Sequence, residues 1–147
     1  MPRTVIVHFL LGALVAGCGS GEVRPVEIFA EDMCAHCRMA FSDRRFAAEL
    51  VTREREVYKF DDIGCLESFR EEHPGTPPAA LFVRDYPSNS WLPVERATVV
   101  RTGVATPMAS GLVAFADSSE ARAFVAGHPV PTTAMEEPTG GCCGKEG

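Results

Sequence analysis

The sequence has no run of lysines or arginines and no apolar stretch long enough to cross a bilayer as a helix, and its six cysteines, though above the average share, fall short of the density of a disulfide scaffold. The first absence excludes a nucleic-acid or anionic-membrane footprint, because both depend on clustered positive charge to displace counterions. The chain is instead acidic, with 14 Lys and Arg against 20 Asp and Glu and a formal net charge of −6. The second excludes a permanent transmembrane helix, since the N-terminal apolar stretch ends well short of the roughly 20 residues that a hydrocarbon core requires. Six cysteines in 147 residues are too few for a disulfide-knit miniature scaffold, so their spacing must say what they do. An apolar content of 46% excludes long disorder and collagen.

The N-terminus carries one basic residue, Arg3, then apolar residues 4–17 interrupted by His8, then Cys18 directly after small residues. That layout is a secretory signal. Leu14-Val15-Ala16-Gly17-Cys18 resembles a bacterial lipobox, in which a peptidase cuts before the cysteine and that cysteine carries the lipid. The expected organisation is a signal peptide at 1–17, then lipidated Cys18 and a Gly-Ser tether to residue 24. The rest of the chain then faces an extracytoplasmic space, which permits disulfides.

An internal repeat organises the remainder of the chain. Phe60, Asp62, Phe69, His73 and Pro74 recur at an offset of 55 residues as Phe115, Asp117, Phe124, His128 and Pro129. In each copy an apolar strand, residues 57–60 and 112–115, leads into an acidic cap, Asp61-Asp62 and Asp117-Ser118. Such a cap accepts hydrogen bonds from the free amides of a helix start. Ile63, Leu66 and Phe69, and then Ala121 and Phe124, give each helix one apolar face. A His-Pro pair closes each helix, because proline cannot continue the hydrogen-bond ladder, and both histidines read as helix-end caps. Further strands are expected at 37–41, 46–51 and 80–86 in the first copy and at 91–94 and 97–101 in the second. The fold class is α+β, two repeated β-β-α-β units at 25–86 and 87–129 that share an interface. A tail at 130–147, rich in Pro, Thr, Glu and Gly, reads as disordered, and its Cys142-Cys143 pair offers thiols on a flexible arm.

Cys34-Ala35-His36-Cys37-Arg38-Met39 places two thiols and a thioether within six residues. Three chemistries compete for it. Thiol-disulfide exchange by Cys34 and Cys37 needs a thiolate stabilised at a helix start, and the following Phe41-Ser42-Asp43-Arg44-Arg45 offers no convincing helix. Structural zinc wants a second ligand pair, which only the distant tail supplies. Monovalent copper suits thiolate and thioether together, because Cu(I) is soft. If residues 37–41 are extended, Cys37 and Met39 share one face while His36 and Arg38 take the other. Cys34 precedes in a turn, as a further thiolate or a loading group. Met108, in Thr106-Pro107-Met108-Ala109-Ser110-Gly111, is a candidate third sulfur donor, competing with the commoner role of methionine as core filler.

These stretches, with Tyr58-Lys59-Phe60-Asp61-Asp62-Ile63-Gly64-Cys65 and the lipobox, resemble the NosL family, lipoprotein copper chaperones that accompany nitrous oxide reductase maturation. The resemblance implies a Cu(I)-binding protein rather than an enzyme. It implies lipid anchoring to the membrane on the periplasmic side and copper delivery to nitrous oxide reductase or another cuproenzyme, in a possible membrane maturation complex. It implies a fold like that of the mercury-lyase accessory domains. Carried over by position, the Cys-Met pair falls on Cys37 and Met39, the methionine of the Thr-Pro-Met motif on Met108 and the lipid on Cys18; with Cys34, read from the turn itself, these make the expected metal residues Cys34, Cys37, Met39 and Met108. The family usually has glycine where this chain has Arg38 and Ala109.

Cys65 reads as a small buried core residue and stands outside the expected site. Asp61 and Asp62 read as helix-start carboxylates rather than an acid-base pair. The rival function is a thiol-disulfide oxidoreductase using Cys34 and Cys37 to keep copper-site thiols reduced.

Overall fold

Two strand-cap-helix passages organise the structure, a computed structural model that describes residues 22–29 and 31–131. The signal peptide, Cys18 with tether residues 19–21, and Cys142-Cys143 lie outside the described residues. In the first passage β1 (Ala48–Thr52) and β2 (Val57–Phe60) form an antiparallel pair, followed by α1 (Ile63–Glu72). β3 (Pro78–Arg84) returns along the other edge of β1, and β4 (Trp91–Pro93) pairs with β3, so the sheet runs β2-β1-β3-β4. In the second passage β5 (Thr98–Arg101) and β6 (Leu112–Phe115) form a two-stranded antiparallel sheet, followed by α2 (Ser118–Gly127). The described residues form an α+β fold with two sheets and two α-helices.

The repeat extends to side-chain detail. Asp62 caps α1 by accepting from Gly64 N, and Asp117 caps α2 by accepting from the amides of Ser119 and Glu120. At the other ends His73 stacks on Phe69 with ring centroids 4.2 Å apart, and His128 on Phe124 at 4.1 Å. Each ring also sets its Nδ1 about 3 Å from the carbonyl of residue i−4, in the last turn of its helix.

Trp91–Pro93 departs from the sequence expectation. Its position in the chain assigns it to the second unit, yet it pairs with β3 through Phe82–Pro93, Val83–Leu92 and Arg84–Trp91. The reason is local: the intervening loop folds into a tight reversal, with Asn89 N donating to Asp85 O at 2.7 Å and Asp85 N to Ser90 O at 2.9 Å. A chain reversed that tightly meets the open edge it has just left. Among the described residues no strand follows α2.

The two passages join through β6, which is buried along its whole length. Alternation sends Leu112 and Ala114 into a core with Leu50, Phe60, Leu66, Phe69 and Val83, and Val113 and Phe115 into a second with Phe46 and Ala121. Asp85 ties the sheets together: its backbone bridges to Ala114, and its Oδ1 accepts from Ala116 N at 2.8 Å.

β1 is buried on both faces as well. Ala48 and Leu50 face the core with α1, whereas Glu49 faces the segment 26–28, which lies across the back of the sheet. That strap is held by side chains of the sheet and its flank. Glu49 Oε2 accepts from Val26 N at 2.9 Å, Trp91 Nε1 donates to Val26 O at 3.1 Å, and Lys59 Nζ donates to Glu27 O at 2.9 Å. The other Glu49 oxygen has no partner among the described residues. Burial pushes the Glu49 carboxyl up to about 7, against the Val26 amide and the charges of Lys59 and Arg84, which pull it down.

A carboxyl whose folded value lies above its ordinary 4.5 favours the protonated folded state. Its contribution to stability is therefore complete below that ordinary value and is lost as pH rises through about 7. Glu49→Gln keeps an acceptor for Val26 N without a charge. Thermal melts should show it more stable than the parent at pH 8 and near parity at pH 5; an equal shift at both pH values would contradict this account.

Candidate metal centre

The residues 34–39 form a closed turn rather than the extended segment expected over 37–41. Met33 and Ala40 bridge across its base, Cys34 N donates to Met39 O at 2.8 Å, and Arg38 N donates to Cys34 O at 3.1 Å. Ala35 N donates to Lys59 O at 2.8 Å, which fastens the turn to the outer edge of β2. Closing so short a loop requires a left-handed residue, and Arg38 supplies it at φ +65°. Strand alternation consequently does not decide where these side chains point. Cys34 is fully buried, Cys37 is half-buried, and Met39 is 57% exposed.

The turn rests against the start of α1. β2 ends in buried Phe60, and the chain then presents two buried carboxylates, Asp61 and Asp62, ahead of Gly64 and Cys65. The Cys37 thiol donates to Asp61 Oδ1, with Sγ and oxygen 3.6 Å apart. Cys65, one turn into the helix, is buried toward the same point. One sulfur each from Cys34, Cys37 and Cys65 and one Asp61 oxygen all lie within 4.8 Å of one another. Donors around one zinc-sized ion with bonds of about 2.3 Å are at most about 4.6 Å apart, so small adjustments would let the four share a cation. All three cysteines are free thiols. Burial pushes the Cys34 thiol up despite the backbone amides of Asp61, Cys37 and His36 that face it. Burial pushes Cys65 up further, with Cys34 and Cys37 adding to it. An incoming cation must therefore displace protons from the buried pair.

Cys65 and Asp61 are the residues that sequence reasoning leaves out. Cys65 reads as core because it is core: it packs with Leu66, Phe69 and Cys34. The available signal is its position one turn after a capping Asp, close in sequence to a second acid.

The third segment is the loop at 106–111, and Asp62 holds it. Asp62 Oδ1 accepts from Gly64 N at 2.7 Å, while Oδ2 accepts from the Thr106 hydroxyl at 2.6 Å and from Met108 N at 3.0 Å. Gly64 allows the close approach, because a Cβ there would stand 2.7 Å from Ser110 Cβ. The loop turns through Ala109 at φ +57° and Gly111 at φ +67°. Met108 emerges 41% exposed, on a cleft of about 220 Å³ lined with His36, Gly64, Cys65, Ser68 and Ser110. His36, in the cleft wall, places Nδ1 3.4 Å from Glu72 Oε2. The structure thus brings Cys34 and Cys37 together, leaves Met39 exposed on the turn that bears them, and sets Met108 in the cleft wall beside Cys65. Cys18 lies outside the described residues.

The sequence model of the NosL family matches residues 25–137. No curated protein matches the chain. Among solved structures, the crystal structure of the copper chaperone NosL from Shewanella denitrificans superposes with a TM-score of 0.61 at 20% identity. The match covers 71% of this chain and 87% of that one. At this identity the likeness shows a shared fold.

Arg38 and Ala109, the two positions where the resemblance leads to an expectation of glycine, are both left-handed here. Glycine takes that conformation without a Cβ clash, and other L-residues lose about 1–2 kcal/mol in it. Arg38→Gly should therefore raise stability by about 1 kcal/mol in denaturant titrations, and a loss would contradict the strain. Asp62→Asn should lower it by about 3 kcal/mol. Both Asp62 oxygens accept, so an amide NH₂ must face a donor on one side or the other. A cost under about 0.5 kcal/mol would mean that the loop at 106–111 is held by something else.

Proposed function

We propose, from the premise that the chain belongs to the NosL family, that it binds Cu(I) as cargo outside the cytoplasm. It hands that ion to nitrous oxide reductase or a related cuproenzyme and is a carrier rather than an enzyme. The observation that carries this reading is the convergence of three thiols and a carboxylate within 4.8 Å beside two exposed thioethers, Met39 and Met108. Thiolate and thioether suit a soft monovalent ion, whereas methionine adds little for zinc. Cys34, Cys37 and Cys65 grip the ion from the buried side, and Met39 and Met108 meet it from the solvent side. Transfer then proceeds by ligand exchange, with an acceptor's donor entering as a thioether leaves. The lipobox at Cys18 supports anchoring to a membrane on the periplasmic side.

The oxidoreductase alternative requires an accessible thiolate of lowered pKa at a helix start. Cys34 is fully buried with its thiol pushed up, and it sits in a turn. No observation favours that alternative.

Anaerobic titration of the reduced protein with Cu(I) against a chromophoric chelator tests the proposal. One tightly held Cu(I) is expected, preferred over zinc. Cys37→Ser and Cys65→Ser should each weaken uptake at least tenfold, roughly 1.4 kcal/mol per lost donor. Met108→Leu and Met39→Ala should weaken it while leaving thiol-disulfide exchange unchanged. A preference for zinc, or uptake indifferent to all four substitutions, would sink the reading.

A further inference from the structure

The turn that bears Cys37 and Met39 carries one side chain for which cargo binding has no use. Arg38 sits between those two residues in a left-handed backbone that glycine would occupy without strain, and its side chain is exposed. Other polar side chains beside the turn have partners: Lys59 Nζ meets Asp32 Oδ2 at 2.6 Å, and His36 Nδ1 lies 3.4 Å from Glu72 Oε2. The Arg38 guanidinium has no hydrogen-bond or ion-pair partner among the described residues. This is so in a chain where acids outnumber bases, 20 to 14. Backbone strain held beside a functional group motivates a functional reading of the side chain. Here the side chain is a planar fork of five donors, suited to a carboxylate.

Resting on the Cu(I)-carrier reading, we propose that Arg38 is the docking residue for the protein that receives the ion. It recognises a carboxylate on the acceptor's surface next to the acceptor's own metal donors. Pairing with that carboxylate sets the acceptor against the exposed Met39 and Met108, where ligand exchange begins. The chain's net charge of −6 repels an acidic partner at long range. The guanidinium therefore acts at contact, within roughly the 8 Å over which charges are felt at physiological salt. Its effect is on encounter and orientation, hence on transfer rate, and not on how tightly the ion is held.

The test uses the full reduced chain loaded with Cu(I) and two synthetic acceptor peptides with the same Met and His donors, one flanked by Asp and Glu and the other by Lys. Transfer is followed by anaerobic stopped flow for the parent, Arg38→Gly and Arg38→Glu. Glycine fits the left-handed position, so the first variant keeps the turn. Cu(I) affinity should stay within about threefold of the parent in both variants. Transfer to the acidic peptide should slow at least about fivefold in Arg38→Gly and further in Arg38→Glu, and the Lys-flanked peptide should gain in Arg38→Glu. Equal transfer rates in all three proteins would overturn the docking role while leaving the carrier reading intact. A drop in affinity beyond about tenfold in Arg38→Gly would also overturn it, by showing that Arg38 acts through the metal ligands. A parent protein that takes up no Cu(I) would overturn the carrier reading and this proposal together.

Discussion

The centre depends on one buried carboxylate that makes two attachments. Asp62 Oδ1 caps α1, and Oδ2 holds the loop at 106–111 through Thr106 and Met108. The two helix-start residues that flank this cap, Asp61 and Cys65, are thereby set against the turn of Cys34 and Cys37, and Met108 is brought to the same cleft. Charge-assisted hydrogen bonds inside a protein are short and strong because no water competes for them. One side chain can therefore decide how two passages of chain meet.

The second copy of the repeat shows what that carboxylate adds. Asp117 occupies the equivalent position and caps α2 through Ser119 and Glu120. It is exposed, and these partners lie on its own helix. The same local device thus serves as a cap in one copy and as a cap joined to a distant loop in the other. Among the described residues, the thiol cluster gathers only at the buried copy.

The candidate donors are divided by burial. Cys34 and Cys65 are enclosed with their thiols pushed up, Cys37 is half-buried against Asp61, and the thioethers are outermost. On the proposed carrier reading, an arrangement graded from enclosed thiol to open thioether suits an ion that is held and then surrendered. Full enclosure would stop an acceptor from approaching.

Near neighbours in the chain encode much of this molecule. The strand, Asp cap, apolar helix face and His-Pro stop of each copy rest on contacts a few residues apart, and they read directly from the 55-residue repeat. The Cys34, Cys37 and Met39 spacing likewise marks the sulfur-rich turn. Other features are settled by segments far apart. The turn at 34–39 is closed in part by Lys59, and Cys37 faces Asp61 across 24 residues. Met108 is held by Asp62 across 46 residues. Trp91–Pro93 joins the edge of β3, and Cys65 is both core and part of the thiol cluster. Periodicity and caps state which way a side chain faces on its own element, and the sequence by itself determined that. Which elements meet depends on burying surface and satisfying polar groups across the whole chain, so only the tertiary structure could decide which sulfurs share a site.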